Sequence, residues 1–87
     1  MPPPNNKPLP RTALEPVCEA LAIVIRQRRE AKKLSLNQLA GLTNLSRQMI
    51  SFIETNRRIP TIDTMARISR AFEISFSKLV VDAEDKL

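Results

Sequence analysis

The sequence predicts an all-α fold, a bundle of five short helices with a flexible N-terminal arm. Two observations support this prediction. A helix-start signature recurs three times: an apolar residue precedes a serine, and a second apolar residue follows the serine four positions later, as in Leu34-Ser35 and Leu39. In addition, 87 residues with no Trp or Tyr and only three Phe form a marginal core. Such a core suits a compact helical bundle, or a dimer, better than a two-layer sheet fold.

The strongest of these signals is a pair of helix starts in the middle of the chain. Ser35 is followed three positions later by Gln38, which completes a capping box, so we expect a helix to begin at about Leu36. Ser46 has the same apolar flanks and starts a second helix at about Arg47. In both cases the serine hydroxyl accepts a hydrogen bond from a backbone N–H that the helix leaves unpaired.

Only a tight turn fits between these two helices. It includes Asn44, which adopts the left-handed conformation almost as readily as glycine and can therefore end a helix. Two short helices joined by such a turn form a helix-turn-helix, and the second helix of that motif enters the major groove of DNA. Here the second helix begins with Arg47 and Gln48, whose side chains can donate paired hydrogen bonds to base edges.

Residues before, within and after this motif occur in a characteristic order. They are Ile25-Arg26, Arg29, Ser35, Leu39-Ala40, Asn44, Ser46, Ile50 and the run from Glu54 to Pro60. Together they resemble the lambda-repressor-like family of bacterial helix-turn-helix regulators, also called the Cro type or the xenobiotic response element type. The resemblance covers residues 21–80 and implies a homodimer that binds a palindromic or repeated DNA operator as a transcription regulator.

The pattern of the motif and the resemblance together indicate which side chains contact DNA. We expect base contacts from the outer side of the second helix, by Arg47, Gln48, Ser51 and Phe52. We expect phosphate contacts near the helix starts and in the loop that follows, by Asn37, Gln38, Ser46, Thr55, Asn56, Arg57 and Arg58. Phe52 either touches a thymine methyl or packs sideways against the protein. Leu36 stands where similar proteins often carry a Gln that braces a phosphate, so that contact is lost or shifts to Asn37 or Gln38.

The resemblance also implies a structural ion pair. In similar family members the positions of Arg29 and Glu54 pair and tie the first helix to the end of the recognition helix. We therefore predict a partly buried Arg29–Glu54 ion pair; the alternative is that both side chains are solvated.

The outer helices follow from their caps and from apolar spacing. Helix 1 is expected to start near Glu15-Pro16, because proline suits the first helical position, although Thr12 is a rival start. Helix 4 follows Thr61 and helix 5 follows Ser75. The expected core-facing residues of helix 4 are Ile62, Met65, Ala66, Ser69 and Phe72, with Ile68 on the flank. We divide the chain into a Pro-rich arm at residues 1–13, a DNA-binding domain at residues 14–81 and an acidic tail at residues 82–87 that frays.

The charge distribution agrees with a polyanion as partner. The chain has a formal net charge of +5, and residues 26–58 hold eight Lys and Arg against Glu30 and Glu54. The arm is either a minor-groove contact through Lys7 and Arg11 or an unbound tail.

The composition gives no support for catalysis or for a cofactor. Histidine is absent, Cys18 is the only cysteine and Gly41 the only glycine, so we expect no enzyme, no metal site, no disulfide and no glycine-rich phosphate loop. No secretory signal and no apolar run of membrane length is present, which predicts a cytoplasmic protein.

One alternative function belongs to a different class. The chain could be a helical protein-interaction adaptor, or an antitoxin-type partner, that retains the fold with weak or no specific DNA binding. Exposed apolar residues favour this reading (Ile23, Phe52 and Ile68), and the arginines of the motif oppose it (Arg47, Arg57 and Arg58). An RNA binder or a membrane-surface helix is less favoured, because the chain lacks stacking and interfacial aromatics.

Overall fold

The computed structural model of this chain describes Pro8 and residues 14–87. The remaining residues of the arm, with Lys7, Arg11 and the rival helix start at Thr12, lie outside the described residues. Residues 14–87 contain five α-helices and no strand: α1 (Pro16–Ala31), α2 (Leu36–Thr43), α3 (Arg47–Glu54), α4 (Ile62–Ala71) and α5 (Phe76–Glu84). The all-α, five-helix fold class predicted from the sequence is confirmed.

Side-chain caps start four of the five helices where the sequence indicated. The Ser35 hydroxyl accepts a hydrogen bond from the Gln38 N–H at 3.0 Å, and Gln38 Oε1 accepts one from the Ser35 N–H at 2.7 Å, which completes the capping box. Ser46, Thr61 and Ser75 cap α3, α4 and α5 in the same way with their hydroxyls. The first helix begins at Pro16, without a side-chain cap hydrogen bond. Short-range sequence therefore decides where these helices begin.

The first four helices end on residues with positive φ angles, none of which is glycine. These residues are Lys33, Asn44, Asn56 and Glu73. Each of them and the residue that follows it donate the same pair of backbone hydrogen bonds to the end of the helix. In α2, Asn44 N–H donates to the Gly41 carbonyl and Leu45 N–H to the Ala40 carbonyl. This is a Schellman motif. Asn44 is the left-handed cap expected from the sequence, and Asn56 ends α3 in the same conformation. No sequence signal indicated Lys33 and Glu73.

One contiguous core holds the helices together. α1 packs against α5 and α3, α2 packs against α3 and α4, and α4 packs against α5. The largest fully buried side chains come from all five helices: Ile25, Leu39, Ile50, Ile53, Ile68, Phe72 and Leu79. Because α3 rests on this core through Ile50 and Ile53, its other side remains free to meet a ligand.

The expected core face of α4 is wrong at two positions. Ile62 is 75% exposed, whereas Ile68, which was placed on the flank, is fully buried. The face that turns inward follows the four-residue row of Thr64, Ile68 and Phe72. Counting apolar residues alone missed Thr64, which tolerates burial because its Oγ1 accepts a hydrogen bond from the Thr61 hydroxyl at 3.1 Å.

The end of the chain also differs from the expected fraying after residue 81. α5 continues to Glu84, and Ala83 is fully buried. Asp82 anchors this turn: its carboxylate accepts a hydrogen bond from Arg28 Nε at 2.8 Å and lies 2.8 Å from Lys78 Nζ. The hydrogen bonds from Lys78 and Arg28 hold the pKa of Asp82 below its usual value. Sequence reasoning missed this link because its partners are 54 residues apart.

Candidate nucleic-acid interface

The turn between α2 and α3 is fixed by polar groups that are satisfied inside the protein. Thr43 is buried, and its hydroxyl donates to the Leu39 carbonyl at 2.8 Å. The Thr43 carbonyl accepts a hydrogen bond from Arg67 Nη1 at 3.2 Å, and Arg67 Nε lies 2.8 Å from an Asp63 carboxylate oxygen. Arg67 therefore connects α4 to the turn. No sequence signal identifies this role except the four-residue spacing of Asp63 and Arg67.

The opposite end of α3 is tied to α1 by the expected ion pair. Arg29 Nε lies 2.6 Å from Glu54 Oε2, and Arg29 Nη2 lies 2.9 Å from Glu54 Oε1, so the contact is bidentate. A third donor, Nη1, reaches the Leu34 carbonyl at 2.8 Å. The two side chains are only 14% and 5% exposed. The hydrogen bond to Glu54 raises the pKa of Arg29 despite the opposing effect of burial.

The outer side of α3 presents two adjacent rows of side chains. Arg47 and Ser51 share one row, and Gln48 and Phe52 share the next, since residues four apart lie on one helix face. Arg47 and Gln48 are exposed, whereas Ser51 and Phe52 are half-buried. The structure thus brings the four residues predicted to contact bases onto one side of one helix, with the longest hydrogen-bond donors the most exposed.

Two residues predicted to contact phosphates lie in the first turn of α2. Asn37 and Gln38 are both exposed. The Oε1 atom of Gln38 is engaged in the capping box, but the amide NH₂ group can still donate.

The residues around α3 that are predicted to contact phosphates differ in whether their hydrogen-bond donors are already used within the protein. Ser46 uses its hydroxyl oxygen as the cap of α3, which leaves its proton available. Thr55 donates its hydroxyl proton to the Ser51 carbonyl at 2.8 Å, so that proton is already used within the helix. In the loop that follows, Asn56 is half-buried, whereas Arg57 and Arg58 are exposed. Within residues 14–87, these two arginines and Arg47 are the groups around α3 that are best suited to bind an anion.

Two other kinds of feature are absent from the part of the chain that the structure describes. Among its residues, no group of three or more His, Cys, Asp or Glu is placed to hold a metal ion. None of its helices combines the length and the apolar character needed to span a bilayer. Cys18 is half-buried and lies in α1.

A capped turn between two short helices, with the second helix resting on the core and turning long donors outward, defines a helix-turn-helix DNA-binding domain. A family model described as Helix-turn-helix (HTH_3) matches residues 25–79, and the chain belongs to this family. The resemblance expected from the sequence is confirmed.

One curated relative and two solved structures are similar to this chain. The HTH-type transcriptional regulator SutR of Escherichia coli (strain K12) is 30% identical over 67 residues, which are 77% of this chain and 38% of SutR. The chain therefore spans less than half the length of this relative. The clp gene regulator ClgR of Corynebacterium glutamicum shares the fold with a TM-score of 0.76 and 24% identity, over 80% of this chain and 74% of ClgR. The restriction-modification controller protein C.AhdI of Aeromonas hydrophila matches with a TM-score of 0.68 and 25% identity, over 72% of this chain and 94% of C.AhdI.

Proposed function

We propose that this chain is a transcription regulator that binds double-stranded DNA at a specific sequence, with α3 in the major groove. The observation that carries the proposal is the exposure of Arg47 and Gln48 at the first two positions of α3. That end of a recognition helix approaches base edges most closely. The turn at one end and the Arg29–Glu54 pair at the other fix the angle at which α3 is presented.

Four side chains of α3 carry the base contacts in this proposal. Arg47 donates a bidentate pair to guanine, and Gln48 both donates to and accepts from adenine. Ser51, one turn further, is short and half-buried, so it reaches a base only where α3 lies deep in the groove. Phe52 is also half-buried, which leaves part of its ring available for a thymine methyl.

The phosphate contacts hold the domain on both sides of the groove. Asn37 and Gln38 donate from the first turn of α2, and Ser46 donates from the cap of α3. Asn56, Arg57 and Arg58 contact the backbone beyond the other end of α3. Thr55 contributes only if it releases its hydrogen bond to Ser51. These contacts set affinity and register, while the sequence preference comes from α3.

A two-fold dimer on a palindromic or repeated operator completes the proposal. Exposed apolar side chains of α5 support it, because Phe76 and Val81 are 36% and 45% exposed although both are large and apolar. In a dimer the two copies of α3 would meet half-sites about one helical turn apart, roughly 34 Å.

The first test is a selection from random duplexes followed by fluorescence anisotropy titrations. We expect a symmetric enriched motif that is bound on the order of a thousandfold more tightly than a scrambled duplex. A failure to enrich any motif, with weak and strongly salt-dependent binding to all duplexes, would refute sequence-specific binding. The adaptor alternative would then be favoured, although the burial of Ile68 removes one of the exposed apolar residues on which it depended.

Two variants separate base reading from phosphate contact. Arg47→Ala should relax the preference at one base step and cost about 1–3 kcal/mol on the selected duplex alone. Arg57→Ala should weaken binding to all duplexes alike and reduce the salt dependence. The same uniform loss for both variants would contradict the role assigned to Arg47.

A further inference from the structure

A cleft of about 180 Å³ opens beside the recognition helix, where the second half of α1 meets the outer side of α3. It is lined by Arg26, Arg29, Leu36, Ser51, Glu54 and Thr55. Ser51 and Thr55 continue the row of Arg47 along α3. The cleft therefore lies at the edge of the surface that the proposed function assigns to DNA.

The two charged groups on the floor of the cleft are already satisfied by each other. Arg29 and Glu54 form their bidentate pair, and the remaining Arg29 contact goes to the Leu34 carbonyl. Both side chains are largely buried. A phosphate could take Arg29 only by stranding the Glu54 carboxylate, so this pair is not the ligand for an anion.

Among the uncharged lining residues, Ser51 is already assigned to a base contact, and Thr55 and Leu36 offer no free donor. The Thr55 hydroxyl donates to the Ser51 carbonyl. Leu36 also lines the cleft, and its side chain has no donor.

Arg26 is the lining residue whose guanidinium remains accessible. Its side chain is 61% exposed, and its ion-pair partner is Glu30, one turn further along α1, with 3.3 Å between Arg26 Nε and Glu30 Oε1. Exposed ion pairs with this spacing are weak. Because a guanidinium has five N–H donors, Arg26 can bind a phosphate oxygen and either keep or release Glu30.

We propose that Arg26 is a further phosphate contact of the DNA interface and that Glu30 weakens this contact. The inference rests on the proposed function. Arginine binds phosphate through charge-assisted hydrogen bonds that are often bidentate. Glu30 holds a carboxylate beside the same position, so it competes for the guanidinium and repels the DNA. Arg26 thus supplies a contact to the DNA backbone from the α1 wall of the cleft.

The test compares Arg26→Ala with Arg70→Ala in anisotropy titrations on the selected and scrambled duplexes at several salt concentrations. Arg70 is the matched control, because it is an exposed arginine on α4 beside the α2–α3 turn rather than beside the outer side of α3. We expect Arg26→Ala to weaken binding to both duplexes about three- to tenfold at low salt and to reduce the slope of log K against log salt by about 0.9. Arg70→Ala should leave both quantities unchanged.

A second pair of variants tests the role of Glu30. Glu30→Gln should tighten binding about two- to threefold at low salt, since it removes a negative charge next to the phosphate. Glu84→Gln removes an exposed carboxylate from the end of α5 and should have no effect. Weaker binding by Glu30→Gln would mean that Glu30 positions Arg26, and the proposed opposition would be overturned.

Two outcomes would overturn the assignment of Arg26. The first is an unchanged salt slope in Arg26→Ala. The second is a loss confined to the selected duplex, which would make Arg26 a base reader. Thermal unfolding of each variant, with Arg26→Gln as a second substitution, separates a lost contact from a lost fold. If the wild type selects no motif but Arg26→Ala still reduces the slope, sequence-specific binding fails while the Arg26 contact stands; the reverse pattern refutes Arg26 alone.

Discussion

The Arg29–Glu54 pair can be tested by neutralising its acidic partner. Glu54→Gln preserves the shape of the side chain and keeps one acceptor for Arg29, but it leaves the guanidinium charge in a site where the two side chains are only 14% and 5% exposed. Stranding one partner of a deeply buried pair costs about 3–5 kcal/mol. Because Arg29 retains the Leu34 carbonyl, we expect the lower part of that range, about 3 kcal/mol.

The assay is thermal unfolding monitored by circular dichroism at a fixed protein concentration. For a domain of this size, about 3 kcal/mol corresponds to a decrease of roughly 12–24 °C in the unfolding midpoint. The matched control is Glu30→Gln, which breaks an exposed pair worth about 0.3–0.5 kcal/mol. A midpoint for Glu54→Gln as close to wild type as that of the control would refute a stabilising role for the pair.

A double variant identifies the source of the loss. If the cost comes from a stranded charge, Arg29→Met combined with Glu54→Leu should recover much of the stability that Glu54→Gln loses, because well-packed apolar residues often replace a buried ion pair without loss. If the double variant is less stable than Glu54→Gln, the lost stability comes from the attraction between Arg29 and Glu54 instead.

Three further changes test other features of the fold by thermal unfolding. Gly41→Ala should stabilise the domain by about 1 kcal/mol, because a Cβ there meets no atom within 4 Å and glycine disfavours a helix interior; an unchanged or lower midpoint would contradict this. Lys33→Gly should raise stability by about 0.5–1 kcal/mol by relieving a φ of 57°, whereas Lys33→Ala, which loses the same charge but keeps Cβ, should not. Asp82→Asn should lower the midpoint at pH 7, since a depressed carboxylate pKa stabilises the fold above the unfolded-state pKa of about 4. That stability disappears as the pH falls through the lower folded-state pKa, so the two proteins should converge in acid; a constant difference at all pH values would exclude the ionised form as the cause.

The local signals in the sequence were sufficient to locate the helices. The serine and threonine caps and the left-handed asparagines act within one turn of the chain, so a capping box such as that of Ser35 and Gln38 can be read directly. The Arg29–Glu54 pair was accessible only through the resemblance to a family, since nothing near either residue indicates its partner.

The features that sequence reasoning missed depend on which side of a helix meets its neighbours. Ile62 and Ile68 lie on one short helix, and only the packing of α4 on the core decides that the second is buried. Likewise, Asp82 in the last turns of α5 contacts Arg28 of α1, which is distant in the sequence. At the candidate site the pattern gave the side of α3 that faces outward, but not the Arg67 hydrogen bond that supports the turn.

The endings of the first four helices have a consequence for molecular recognition. Each of them closes with the same two backbone hydrogen bonds around a residue that carries a Cβ, and none relies on glycine. Connections of this kind lose little conformational entropy on binding, because the surface that contacts a partner is already formed in the free protein. Association then requires little ordering of the protein, and the free energy that separates one partner from another comes mainly from the contacts themselves. The domain should therefore distinguish its preferred partner from closely similar ones without a change in its own fold.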